Sequence, residues 1–250
     1  MFDKEAIKND FSKAADSYAE NAKLQLSIKK SALKLSKSYF PKKAVVLDLG
    51  CGPEAIDKGD NDWKIIGVDI SYGMCKEASK KNSLIINSAA EKLPLADESV
   101  DCVFSSLLLQ WTEKPELVIL EILRVLKMSG TAIITTFVHG TLNELEEAFT
   151  TIDSNPHITP FVEPNQLLFK IAHIGGFTLK VIEKRYVESF HDIYSLMKSI
   201  KSIGAGNKLN SRRKGLMTPV QFKKLENSYK KEKGKYPISW NVLTVVIGKL

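Results

Sequence analysis

Residues 44–53 read AVVLDLGCGP, an apolar run followed by an aspartate and two closely spaced glycines. Aliphatic and β-branched residues in such a run are typical of a buried parallel strand. Gly50 and Gly52 come directly after it, where glycines allow a tight turn and let a ligand approach the main chain closely. The stretch therefore predicts a strand, a turn and a ligand site at the carboxyl end of that strand, in an α/β fold.

A second apolar run, IIGV at residues 65–68, ends in Asp69. An acidic residue at the end of the next strand suits a ribose with two free hydroxyl groups. A dinucleotide is disfavoured, because Ala55 stands where the motif G-x-G-x-x-G needs its third glycine, and because Asp48 would repel a pyrophosphate. Asp48 suits a ligand with an amino group and a sulfonium. The segment resembles D-x-G-x-G, the first motif of class I S-adenosylmethionine (SAM)-dependent methyltransferases, and a glycine turn in another α/β protein is the alternative.

Apolar runs alternate with helical segments along the chain, which predicts a doubly wound, mostly parallel sheet. After Gly52 the sequence allows only a stunted helix or a loop, because Gly59 and Asn61 would end a helix there. Seven strands are predicted, at residues 44–49, 64–69, 83–87, 100–105, 131–137, 177–187 and 240–248. Helices are predicted over 4–39 (two helices), 72–81, 115–126, 142–152 with Thr141 as its cap, 164–174, 191–203 and 219–233.

Four parts of the chain follow from this alternation. We expect an N-terminal helical lid over the mouth of the sheet and an α/β core that binds the cofactor. A basic helical insertion for the acceptor and a final core strand complete the chain. The predicted boundaries are 1–43 for the lid, 44–190 for the core, 191–236 for the insertion and 237–250 for the last strand.

The 250-residue chain is 44% hydrophobic and 26% charged, which is typical of a soluble globular protein. Its apolar runs are shorter than the ~20 residues of a membrane span, and its N-terminus lacks the apolar core of a signal peptide. Three scattered cysteines predict reduced thiols in a cytoplasm. The four histidines form no ligand cluster, so we expect no metal site.

The net charge of +7 is unevenly distributed. Residues 198–235 contain twelve Lys and Arg but two Asp and Glu, and residues 1–43 contain ten against five. Such basic flanks predict an acidic partner, and solvated lysine-rich helix faces are the alternative. The flanks lack the interleaved aromatic residues that stack nucleic-acid bases. We therefore expect no nucleic-acid partner. We also expect no membrane partner, and we expect a monomer.

Several segments together resemble the malonyl-[acyl-carrier protein] O-methyltransferases of biotin synthesis. This resemblance covers nearly the whole chain, and it implies a class I methyltransferase (Rossmann-like) fold with SAM as the cofactor. It also implies a reaction that methylates the free carboxylate of a malonyl thioester on an acidic acyl-carrier protein, or of malonyl-CoA. The segments are FSKAADSYAENAKLQ at 11–25, LDLGCG at 47–52, SSLLLQW at 105–111, FVHGTLNEL at 137–145, LMKSIKSIGAGN at 196–207 and RRKGLM at 212–217.

The sequence departs from the usual family pattern mainly around the expected cofactor. Pro53 and Glu54 replace a threonine and a third glycine, and Ala89 replaces an aspartate expected at the adenine amino group. Glu146 stands where an arginine is usual. These departures leave open a non-catalytic carrier-binding module with a decayed SAM pocket. A SAM methyltransferase for another small carboxylate or for RNA is a further alternative.

Position along the chain, together with the resemblance, gives the candidate cofactor residues. We expect Asp48, Gly50 and Gly52 to line the methionine part of SAM, and Asp69 to bind the ribose. The other candidates are Gln25 at the methionine carboxylate, Ile70 beside Asp69, Ala90 and Glu91 by the adenine, and Ser105 and Leu107 at the end of the fourth strand.

Methyl transfer to a carboxylate needs no general base, because a carboxylate is already ionised at neutral pH. A site that aligns the reacting atoms and excludes water should suffice. We expect Tyr18 to cover the sulfonium, and Gln110 and Trp111 to face the acceptor. Candidates for the malonyl carboxylate or the pantetheine phosphate are Lys201, Asn207, Arg212 and Arg213, and His139 is a candidate acceptor contact past the fifth strand. For each of these five, a plain surface position is the alternative.

Overall fold

Seven strands form one sheet within the residues that the computed structural model describes, which are 3–57, 59–82, 84–202 and 217–250. Their spatial order is β3-β2-β1-β4-β5-β7-β6, in which β1 to β5 run parallel and β7 is antiparallel to β5 and β6. The doubly wound, mostly parallel sheet is thereby confirmed. The strands are β1 Val45–Leu49, β2 Lys64–Asp69, β3 Ile85–Asn87, β4 Val100–Ser106, β5 Leu126–Phe137, β6 Phe177–Phe190 and β7 Tyr236–Lys249.

Helices cover the sheet. Helix α5 begins with Pro115 in its first turn, where a missing N–H costs nothing, and buries Val118, Ile119, Ile122 and Val125 at helical spacing. In the described residues the α-helices are α1 Lys4–Ala14, α2 Tyr18–Asn21, α3 Lys23–Ser36, α4 Tyr72–Ala78, α5 Pro115–Val125, α6 Asn143–Thr150, α7 Pro164–Ala172, α8 Ile193–Ser202 and α9 Pro219–Ser228. None of the helices in the described ranges is long and apolar enough to cross a membrane.

The structure confirms the loop expected after Gly52, and it differs from the predicted elements in the lid and at α6. The segment 4–39 forms three α-helices rather than two. The described residues between Gly52 and β2 form no α-helix, and the Ile56 N–H there donates to Asp48 Oδ2 at 2.8 Å. Thr141 does not cap α6: Leu142 occupies the N-cap with φ +62°, and Thr141 Oγ1 bonds to the backbone of Asn241 in β7.

Helix α1 of the predicted lid packs tightly on α4. Ser12 Oγ lies 2.8 Å from Ser71 Oγ and accepts a hydrogen bond from the Gly73 N–H at 3.2 Å. A Cβ added to Gly73 would lie 2.7 Å from Ser12 Cα and from its carbonyl oxygen. Because both of those atoms belong to the backbone, the close approach of α1 depends on Gly73 having no side chain.

Gly73→Ala is therefore expected to displace α1 and to destabilise its packing by about 1–3 kcal/mol, the usual cost of overpacking. Hydrogen exchange measures this directly: the amides of α1 should exchange faster in the variant, while those of α5 on the other side of the sheet keep their rates. Unchanged protection of α1 would show that the helix does not depend on this contact.

Candidate functional site

A first cavity, with about 1020 Å³ of empty space, lies at the carboxyl ends of β1, β2 and β4. Ligands of open α/β sheets bind at this edge. The lid contributes to the wall from above, and the ends of the strands contribute from below. The lining includes Lys4, Ile7, Phe11, Tyr18, Gln25, Leu49, Gly50, Gly52, Asp69, Ile70, Met74, Ser88, Ala90, Glu91, Ser106, Leu107, Leu108, Gln110, Trp111 and Phe137.

The glycine loop brings its backbone to this cavity. Gly50 has φ +74° and Gly52 has φ +68°, both in the left-handed region that favours glycine. The N–H groups of Gly50 and Cys51 donate to Val68 O at 2.7 and 3.0 Å, which holds the loop against the end of β2. A Cβ at Gly50 would lie 2.6 Å from Leu108 Cδ1. The predicted turn is therefore present and presents main chain to the cavity.

Asp69 contributes a carboxylate to the wall of the first cavity, at the end of β2. Its Oδ1 accepts from the Ser71 N–H at 2.8 Å, and its Oδ2 accepts from the Gly52 N–H at 3.0 Å. Burial raises the pKa of Asp69, and the two backbone donors partly oppose that shift. Each oxygen has a second lone pair, so this fixed carboxylate can also accept hydrogen bonds from a ligand.

The structure places Asp48 under the glycine loop rather than in the cavity wall. The Asp48 side chain is buried, and its Oδ2 accepts from Ile56 N and, at 3.4 Å, from Lys29 Nζ. Lys29 Nζ also donates to the carbonyls of Cys51 and Glu54, at 3.1 and 2.8 Å. Among the described residues, Asp48 Oδ1 has no hydrogen-bond partner. Asp48 and Lys29 thus hold the loop from below.

The three residues predicted at the reacting atoms all line the first cavity. Burial, and to a smaller extent Asp69, raises the pKa of Tyr18 to about 12, so its hydroxyl stays protonated at neutral pH. Gln110 is fixed at both ends of its amide: Nε2 donates to Leu107 O at 2.8 Å, and Oε1 accepts from Thr136 Oγ1 at 3.0 Å. The Trp111 ring meets Phe11 of α1 edge to face, with centroids 5.5 Å apart.

Most of the predicted cofactor residues lie together at this cavity. Gln25, Ile70, Ala90, Glu91 and Leu107 line it, and Glu91 forms an ion pair with Lys4 at 3.0 Å. The expected position of Ser105 was wrong, because side chains alternate along a strand. Its hydroxyl is buried inside the sheet and donates to Leu49 O at 2.8 Å, and the neighbouring Ser106 lines the cavity instead.

A second cavity, with about 1720 Å³ of empty space, adjoins the first. The rings of Trp111 and Phe137 belong to the walls of both cavities. The second wall is mainly aromatic and aliphatic, and Lys198 and Lys201 of α8 contribute to it as exposed residues. It also includes Leu142, Leu145, Phe149, His157, Ile158, Thr159, Phe161, Tyr194, Met197 and Trp240.

Of the remaining acceptor candidates, the structure describes His139 and Lys201. The side chain of His139 is 60% exposed, and its Nδ1 lies 3.3 Å from Glu163 Oε1. Asn207, Arg212 and Arg213 lie outside the described residues. Lys201 lines the second cavity, and His139 lines neither cavity. Within the described ranges, no group of three or more His, Cys, Asp or Glu residues could hold a metal ion.

The sequence interpretation missed several residues of the walls. Phe137 ends β5 at the same edge as Asp69, so its position at the end of a predicted strand was a usable signal. Phe11 and Met74 lie on helices that cross this edge, and an apolar residue on a helix gives no sign of which cavity it faces. His157 is in a proline-containing loop, which left its place in the fold undetermined.

Comparison with known proteins agrees with this geometry. A family described as a methyltransferase domain matches residues 47–134. Malonyl-[acyl-carrier protein] O-methyltransferase of Hamiltonella defensa is 31% identical over 98% of this chain and 94% of its own length. The protein of the same name from Xylella fastidiosa is 33% identical over 97% of this chain and 87% of its own length. One similar solved structure is a SAM-dependent methyltransferase of Thermotoga maritima, titled a possible histamine N-methyltransferase. The match has a TM-score of 0.56 at 18% sequence identity, and it covers 97% of this chain and 99% of that chain.

Proposed function

We propose, from the premise that the chain belongs to the malonyl-[acyl-carrier protein] O-methyltransferase family, that it converts the free carboxylate of malonyl-acyl-carrier protein into a methyl ester, an early step of biotin synthesis. The chain is a SAM-dependent methyltransferase. One observation carries the assignment of roles: a cavity suited to SAM adjoins a second cavity, and the two share Trp111 and Phe137. A methyl group can pass only between neighbouring binding sites.

The residues of the first cavity fit SAM. Asp69 would accept hydrogen bonds from the ribose hydroxyls, Gly50 and Gly52 would face the methionine part, and Ala90 leaves room for the adenine. The carboxylate of Asp69, in a mainly apolar wall, also suits a cationic ligand such as SAM. Pro53 and Glu54, which depart from the family pattern, lie at a smaller neighbouring cavity instead, with Glu54 paired to Lys81 at 2.7 Å.

When bound, SAM supplies a methyl group on a sulfonium for in-line transfer to an oxygen atom. The acceptor carboxylate is ionised at neutral pH, so the protein needs no base, and the protonated Tyr18 is suited to packing and donating rather than to accepting a proton. The tethered Gln110 and the rings of Trp111 and Phe137 would align the acceptor and keep water out.

Calorimetric titration with S-adenosylhomocysteine, the product analogue, is the first test of this function. We expect micromolar binding by the purified protein, followed by methyl transfer to malonyl-carrier protein but not to acetyl-carrier protein, which lacks the carboxylate. A folded protein that binds no S-adenosylhomocysteine would contradict the proposal and would favour a carrier-binding module without catalysis.

The acidic carrier is proposed to dock on the basic segment 191–236, whose helix α8 lines the second cavity. Support comes from the exposed Lys198 and Lys201 at that cavity and from the basic sequence that follows, in which Asn207, Arg212 and Arg213 remain candidates. His139, which is exposed and lines neither cavity, is proposed to lie outside the acceptor site. A cytoplasmic reaction is part of the same proposal, since Cys51, Cys75 and Cys102 are buried free thiols.

Exchanging both rim lysines, Lys198→Glu with Lys201→Glu, is expected to raise KM for malonyl-carrier protein about tenfold, because charge complementarity is lost. KM for malonyl-pantetheine, which lacks the carrier protein, should stay within about twofold. Steady-state kinetics at low and moderate salt measure both values. The matched control, Lys34→Glu with Lys37→Glu, makes the same change in charge on exposed residues of the α3 end, away from both cavities. Equal effects of the two pairs would refute local docking.

A further inference from the structure

His157 is a buried imidazole in the wall of the second cavity. Its side chain is 8% exposed, and its ring stacks on Phe149 of α6, with centroids 4.1 Å apart and planes 2° from parallel. Nε2 lies 2.8 Å from Asp153 Oδ1, which also accepts from the Asn155 N–H at 2.9 Å. The stacking fixes the plane of the ring, and the Asp153 contact fixes its rotation.

The other residues that line the second cavity are mainly apolar. Phe137, Leu145, Phe161 and Trp240 supply an aromatic and aliphatic wall. Lys198 and Lys201 are exposed, so their charges remain in contact with water at the rim. A buried polar ring in the wall of an otherwise apolar cavity is the arrangement by which proteins orient one polar group of a ligand.

We propose that the second cavity is the acceptor site and that His157 donates a hydrogen bond to one oxygen of the acceptor carboxylate. This inference rests on the proposed function, and it assigns the carboxylate to His157 rather than to Lys201. Asp153 Oδ1 accepts from the Nε2–H at 2.8 Å, so Nδ1 is the ring nitrogen left for the ligand. A neutral ring would only accept there, and the proposal therefore places an imidazolium at His157, whose second N–H, on Nδ1, donates to the carboxylate. A single donor holds one carboxylate oxygen and leaves the other free to attack. A bidentate guanidinium would engage both oxygens.

The test compares two probes that differ in the carboxylate alone, malonyl-pantetheine and acetyl-pantetheine. Each is titrated calorimetrically into full-length protein saturated with S-adenosylhomocysteine. The wild-type protein should prefer malonyl-pantetheine by about 10- to 150-fold, the range for a hydrogen bond to a charged group. His157→Ala should abolish that preference and leave the affinity for acetyl-pantetheine unchanged. His157→Gln, which keeps a donor, should restore part of it.

His173→Ala is the matched control, since this histidine is exposed at the end of α7, lies against Phe169 and lines neither cavity. It should behave as the wild type. Full preference retained by His157→Ala would overturn the inference, and so would an equal loss of affinity for both probes, which indicates a structural role. The proposed function fails separately, if the wild-type protein neither methylates malonyl-carrier protein nor binds malonyl-pantetheine.

Discussion

Asp69→Ala is expected to weaken the binding of S-adenosylhomocysteine by about 10- to 150-fold, the equivalent of about 1.5–3 kcal/mol for hydrogen bonds to a charged group. Asp69 is the carboxylate in the first cavity at the end of β2, and two backbone N–H groups fix its orientation. A ribose would lose its acceptor, and the Gly52 N–H would lose its partner as well. Calorimetric titration measures the change in affinity.

The matched control is Asp60→Ala, which removes an exposed carboxylate from the turn Gly59–Asn61, away from the first cavity. It should bind S-adenosylhomocysteine as the wild type does. Asp69→Asn provides a second comparison, because Gly52 and Ser71 donate to different carboxylate oxygens and the amide replaces one of these acceptors with an NH2 donor. We expect it to bind less tightly than the wild type. Affinity unchanged in Asp69→Ala would refute the assignment of this residue to the ribose.

Trp111→Ala is expected to lower kcat by about 100-fold, a loss of the size seen when reacting groups are misplaced by about 1 Å. The ring belongs to the walls of both cavities and packs against Phe11 of the lid. Its removal would join the two cavities and admit water between donor and acceptor. Affinity for S-adenosylhomocysteine should change much less, because Asp69 and the glycine loop remain.

Single-turnover methyl transfer, combined with calorimetry on the same variant, separates these two effects. Trp111→Phe keeps an aromatic ring and should recover most of the rate. Trp63→Phe is a useful control, since Trp63 packs with Phe40 in a different part of the core. A normal single-turnover rate in Trp111→Ala would exclude the ring from aligning the reacting groups.

The strands and the position of the first cavity could be predicted because they depend on local patterns. Apolar runs gave β1 and β2, and parallel strands place their carboxyl ends at one edge, so Gly50, Gly52 and Asp69 were expected to meet. For Ser105 and Asp48, the strand pattern did not predict which way the side chain faces. Which face of the sheet a side chain occupies at the end of a strand depends on one residue of register, and the loop beyond Asp48 turns back over its carboxylate.

The acceptor side was less predictable, because its contacts depend on pairing between distant strands or on the path of a loop. Thr141 was expected to cap the helix after it, yet its hydroxyl pairs with Asn241, a hundred residues away. His157 showed no recognisable spacing in the sequence, since Phe149 and Asp153 acquire their relation to it only through the fold of the intervening loop. The roles of Asn207, Arg212 and Arg213 stay predictions.

The place of β7 in the sheet also governs the order in which the protein can fold. β7 follows every other strand in the chain, yet it lies between β5 and β6, and within the described sheet it is the partner of β6. During synthesis β5 therefore emerges from the ribosome about one hundred residues before its antiparallel neighbour, and long-range pairing of this kind is slow. Until β7 arrives, the unpaired edges of β5 and β6 need protection from aggregation, so the nascent chain is expected to depend on chaperones that bind exposed strands.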